Sequence, residues 1–198
     1  MRYICSRSDV TTVIRLMMTL TEPERRIALI DEIRSAFHDV SLGDGVSAEE
    51  AWVLDAYGTE EERTEARRSR QNLPWERVAE SRVFEEFVDL FCFLDAKGSR
   101  FYLPACMIWV LEELLKTKDL QMAEYLLYAL CPNRKDENDP VNREDAHPKM
   151  ARYKELNGTQ ATAVARFLEF MCEYGDEWDS ETAQQALDQY WDMFLVGV

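Results

Sequence analysis

Histidine is nearly missing from this 198-residue chain, which has only His38 and His147. His38 falls at the end of an expected helix and His147 in a polar stretch before a proline, neither in a recognisable motif. Nucleophilic triads built on an imidazole base are therefore not expected. Paired cysteines are missing too. Cys5, Cys92, Cys106, Cys131 and Cys172 are odd in number and far apart, with no C-x-x-C. That excludes a disulfide framework or a zinc knuckle and leaves reduced, mostly buried thiols, as a cytosolic protein would hold them. Long apolar runs are lacking as well. The longest, residues 101–111, is too short for a bilayer, which takes about 20 residues. Arg2, Arg7, Asp9 and Arg15 interrupt the start, so no secretory signal is expected there. Basic charge is scarce: Lys plus Arg number 23 against 38 Asp plus Glu, a net of −15. Phosphate backbones and anionic membrane surfaces attract basic proteins, so neither nucleic acid nor membrane is an expected partner.

What remains is ordinary globular composition, with 46% hydrophobic and 31% charged residues. Residues 1–20 differ in character and read as an N-terminal extension, with Met17 or Met18 an alternative start. Residues 21–198 read as a single all-α domain of about seven helices. Thr21 with Glu24 forms a capping box, followed by Ile27, Ile30, Ile33, Phe37 and Val40 at helical spacing. Ser47 with Glu50 and Thr59 with Glu62 repeat that box. The helix after Thr59 has almost no apolar stripe and is expected to be exposed. Residues 75–94 predict one strongly hydrophobic helix, and 99–116 a second, with Pro104 either starting its regular part or kinking it. Asp119 is expected to cap a helix ending before Pro132, and 132–156 to form a long polar loop. Asn157 and Gln160 open a helix that stops at Gly175; Ser180 starts the last one.

Four groups of residues carry candidate chemistry. Asp136, Asn138 and Asp139 imitate a calcium loop, but Val141 replaces its glycine and His147 its last carboxylate, so no metal is expected there. His38-Asp39 resembles part of a metal-dependent phosphohydrolase site whose other histidines are lacking. Glu62 and Glu65, with Glu86 and Asp89, resemble the paired carboxylates of all-α nucleotide pyrophosphohydrolases of the MazG type. Residues three apart share a helix face, so two such pairs could present Mg²⁺ with four carboxylates. Against it stand the abundance of acids and the apolar poverty of the first helix. The fourth group is the acidic end of the chain. From residue 155 to 198 nine acids face a single base, Arg166. Glu169 and Glu173 lie one turn apart, and the link Asp176-Glu177-Trp178-Asp179, followed by Glu181, continues the acidity around an aromatic. Acidic charge steers a basic partner inward while a tryptophan anchors it.

One stretch, residues 93–105, reads Phe-Leu-Asp-Ala-Lys-Gly-Ser-Arg-Phe-Tyr-Leu-Pro-Ala. With residues 33–37, the Trp75 region and residues 160–170, it resembles a family of small bacterial proteins known only as a domain of unknown function. The resemblance implies a mainly helical cytoplasmic protein and transfers no catalytic residue. Arg100 could cap or bridge helix ends while Phe101 and Tyr102 pack; a ligand role for Arg100 and Tyr102 is the alternative.

The expectation is thus a non-catalytic acidic protein that binds a basic protein, in its most concrete form an immunity or inhibitor protein against a nuclease toxin. Its docking residues are Glu169, Glu173, Asp176, Glu177, Trp178, Asp179 and Glu181, and it needs no cofactor or metal. The alternatives are the magnesium-dependent pyrophosphohydrolase and an accessory domain that forms oligomers.

Overall fold

A computed structural model describes residues 21–69, 73–80, 82–114, 116, 120–132 and 148–195. Among these the chain is all-α, without a strand. The first helix, α1 (Glu22–Phe37), begins where the Glu24 carboxylate accepts both the amide and the hydroxyl of Thr21, at 2.8 and 2.7 Å. Its buried side carries Leu29, Ile30, Ile33, Ala36 and Phe37, whereas Ile27, expected on that stripe, lies 59% exposed.

Helix α2 (Ala48–Asp55) is capped by Ser47, whose hydroxyl accepts the Glu50 amide. The Glu50 side chain does not complete the expected box. It turns inward, only 1% exposed, and takes Arg63 and Arg67 of α3 (Glu60–Ser69) at 3.0 and 2.5 Å. This explains how α3 is held with Ala66 as its sole buried residue: charge, not apolar area, docks it. Glu62 does close the box on Thr59.

The single helix expected over 75–94 is instead three one-turn pieces, α4 (Trp75–Val78), α5 (Val83–Glu86) and α6 (Leu90–Phe93). Aromatic residues are poor helix formers, and tertiary contacts win where a run holds so many. Phe87 breaks the backbone at φ −135°, ψ 72°, and its ring packs edge-on to Trp52 and stacked with Phe93.

The next helix, α7 (Ala96–Glu113), starts three residues earlier than expected, capped by Asp95, and runs through Pro104. Most of its length is buried on every side, from Phe101 to Ile108 and at Val110 and Leu111. A helix apolar all round belongs at the centre of a core, and α1, α4, α8 (Gln121–Leu130) and α9 (Pro148–Lys154) all pack on it. The cap expected at Asp119 lies outside the described residues, as do residues 1–20 and the calcium-like loop. Part of the polar stretch 132–156 is helical, namely α9.

Helix α10 (Gly158–Tyr174) opens with the expected box, Asn157 and Gln160 exchanging bonds at 2.9 and 3.2 Å. It ends at Gly175, where a Cβ would fall 2.6 Å from the Met171 carbonyl oxygen. Helix α11 (Glu177–Ala186) then runs into a π turn (Leu187–Trp191) and a 3-10 turn (Asp192–Phe194). It packs on α10 and α8. Four of the cysteines are described, all with free thiols. No described helix is long and apolar enough to cross a membrane.

Candidate functional site

The last helix begins at Glu177, not near Ser180 as expected, because the Asp176 carboxylate accepts the Asp179 amide at 2.8 Å. The acidic tract is therefore the first turn of α11 and not an inter-helix link. Carboxylates there complement the positive end of the helix dipole. This local role accounts for part of the acidity that the sequence presents as a docking signal.

The seven docking candidates separate into three settings. Asp176, Glu177, Trp178 and Glu181 together line an open groove of about 460 Å³. Glu173 stands one helix away, exposed, and takes the Arg25 guanidinium of α1 at 2.5 Å. The Tyr174 hydroxyl and Arg25 hold its carboxyl below the ordinary carboxylate value, so its charge is already partly answered. Glu169 also lies on α10. Burial of its carboxyl pushes it up, against the pull of Arg166 and Arg25. Asp179 is the clear departure from expectation: it is 1% exposed and its Oδ1 is buried without a hydrogen-bond partner. Burial, with the charges of Asp176 and Glu124, pushes it up to about 7. Asp179 thus sits under the docking groove rather than on it. The α-helical period hid this, since one turn of α11 carries groove-facing and core-facing acids side by side.

Arg100 and Tyr102 separate as well. The buried Tyr102 hydroxyl accepts the Ala48 amide at 2.8 Å, which satisfies an otherwise orphaned donor at the start of α2. That placement gives Tyr102 a structural task and no exposed face for a ligand. The Arg100 Nε–H donates to Gln160 Oε1 at 3.2 Å, at the start of α10. Asp95 Oδ1 accepts the amides of Gly98 and Val46 at 2.7 and 3.0 Å. Gly98 is required there, since a Cβ would lie 2.4 Å from the Val46 carbonyl oxygen. The stretch 93–105 is thus a junction that ties together the N-termini of α2, α7 and α10.

The four carboxylates of the magnesium reading are not assembled. Glu62 closes its own cap, Glu65 lies 3.8 Å from Arg68, and Glu86 lies 3.6 Å from Arg82. Among the described residues no three His, Cys, Asp or Glu side chains are gathered as a metal would need.

The fold defines an all-α protein with an acid-lined groove at the head of its last α-helix. The chain belongs to a family described as "Family of unknown function (DUF6714)", whose profile matches residues 25–194. Comparison with curated proteins and with solved structures gives no match.

Proposed function

We propose that this is a non-catalytic acidic protein that docks a basic protein partner through the head of α11. The observation that carries the reading is the groove formed by Asp176, Glu177, Trp178 and Glu181: three acids around one indole, with no basic residue among them. Carboxylates so placed raise the encounter rate with a cationic surface, and a tryptophan is the commonest kind of interface anchor. The net charge of −15 acts in the same direction at longer range. In its most concrete form the protein is a bacterial cytoplasmic immunity or inhibitor protein that neutralises a basic toxin such as a nuclease.

The test is co-expression with neighbouring gene products, followed by affinity capture at low and high salt. A stoichiometric basic protein released by salt supports the reading. Capture that ignores salt, or that survives Trp178→Ala and Glu177→Lys together, removes it.

A further inference from the structure

Arginine is almost always answered by acid in this protein. Among the described residues Arg25, Arg26, Arg34, Arg63, Arg67, Arg68, Arg77, Arg82 and Arg166 each have a carboxylate oxygen within 4.0 Å. Arg100 and Arg152 have none there, in a chain with 38 acids. Both line one cavity of about 20 Å³ between α7, α8 and α9. Its other walls are mainly apolar, including Leu103, Leu126 and Leu156.

A third polar group reaches the same cavity. Ser99 is 6% exposed, and its Oγ is buried without a hydrogen-bond partner. Leaving a buried hydroxyl unpaired is costly, so such groups normally have an occupant to bond to. The bonds made by the two arginines leave donors over. Arg100 gives its Nε–H to Gln160, and Arg152 gives an Nη2–H to the Leu94 carbonyl at 3.1 Å, whereas a guanidinium has five. Asp95, the acid acting on Arg152, spends Oδ1 on two backbone amides and forms no ion pair. Burial pushes the Arg152 guanidinium down, the mark of a cation with too little compensation.

We infer that the cavity bounded by Ser99, Arg100 and Arg152 is a binding site for a single carboxylate group. A lone water would satisfy Ser99 but bring no charge to two cations that lack an ion pair; a carboxylate accepts from planar guanidinium forks and from a hydroxyl at once. The cavity volume limits the occupant to about one small group. The site stands on α7 and α9, away from the α11 groove, so it succeeds or fails independently of partner docking.

The test titrates [¹³C]formate into the full chain at fixed ionic strength, with gluconate, too large for the cavity, as the background anion. Line broadening and melting temperature are the readouts. Saturable broadening with a dissociation constant on the order of 1 mM is expected, as three heavy atoms permit little more. Arg100→Met and Arg152→Met should each weaken binding at least tenfold, and Ser99→Ala, a change too small to threaten folding, several-fold. No saturable broadening in the wild type overturns the inference, as does unchanged binding in Ser99→Ala together with either folded arginine variant. Chloride that competes as well as formate overturns the carboxylate assignment. Binding of an acetylated glutamate amide alongside formate would assign the group to another chain; formate alone would assign it to a small acid.

Discussion

The Lys149 ammonium lies 3.7 Å from the centre of the Tyr128 ring while donating to the backbone carbonyl of that same residue at 2.5 Å. Its second bond runs to the Cys131 carbonyl at 2.8 Å. Between these two, the Tyr153 hydroxyl donates to the Ala129 carbonyl at 2.9 Å, and the Trp191 indole N–H to the Leu130 carbonyl at 2.7 Å. The last carbonyls of α8, which an α-helix cannot bond itself, are thus taken by side chains arriving from α9 and the C-terminal π turn. Lys149→Met should leave two carbonyls without their donor. Chemical denaturation should show a loss of about 2 kcal/mol, with amide exchange at 128–131 accelerated more than in α1.

Glu50 should matter more than any other acid to stability. Burial alone would raise its carboxyl, but the Arg67 and Arg63 bonds and charges override this and hold it below its ordinary value. Removing one partner from a buried charge cluster costs about 3–5 kcal/mol when fully enclosed, and less here because the arginines reach solvent. Glu50→Gln is expected to lose about 2–3 kcal/mol. The wild-type contribution is present above the unfolded carboxylate pKa and is lost as pH falls through the lower folded value, a dependence the variant lacks.

Asp179 has the opposite sign. Its folded pKa, about 7, lies above the unfolded value, so the folded state holds the proton more tightly. Stability from this group is greatest below the unfolded pKa and declines as pH rises towards 7. Asp179→Asn should therefore stabilise the protein at pH 8 and flatten the wild-type decline between pH 4 and 7. Urea midpoints at three pH values check it; an unchanged slope would contradict the placement of Asp179.

Tyr57 holds a left-handed backbone, φ 55°, while its side chain is 98% exposed. Its amide and that of Gly58 bond back to Leu54 and Val53 at 3.1 and 2.8 Å, the paired closure of a helix end that usually has glycine at the first position. Tyr57→Gly relieves the conformation and loses no packing. A gain of about 0.5–1 kcal/mol is expected in thermal or urea unfolding.

Salt and charge reversal bear on the docking reading separately. Glu177→Lys with Glu181→Lys should leave the melting temperature within a few degrees of wild type, since both are exposed, while abolishing salt-sensitive capture of a basic partner. Glu173→Lys, by contrast, breaks the ion pair with Arg25 and should also affect how α1 sits on α10.

The helix starts at Thr21, Thr59 and Asn157 were legible because their capping bonds close within three residues, so neighbours along the chain suffice to specify them. The apolar stripes of α1 and α10 were legible for the same local reason. The breaks at Phe87 and the burial of Glu50, Asp179 and Lys149 were not. Each depends on a partner several helical turns or more away along the chain, or on which side of a helix meets the core. Even at the acidic end, composition showed the acids while leaving unsaid that Asp176 caps α11 and Asp179 lies inside.

By itself the sequence determined an all-α chain, its acidic character and the helix starts after Thr21, Ser47, Thr59 and Asn157, because spacing and capping act over one turn. Only the tertiary structure decided which charges are spent inside and which are left over. It buried Glu50 against two arginines, turned Asp179 away from solvent, and gathered Asp176, Glu177, Trp178 and Glu181 around one groove. The reason is that burial and long-range pairing set the energy of a charge, and neither exists until the helices pack.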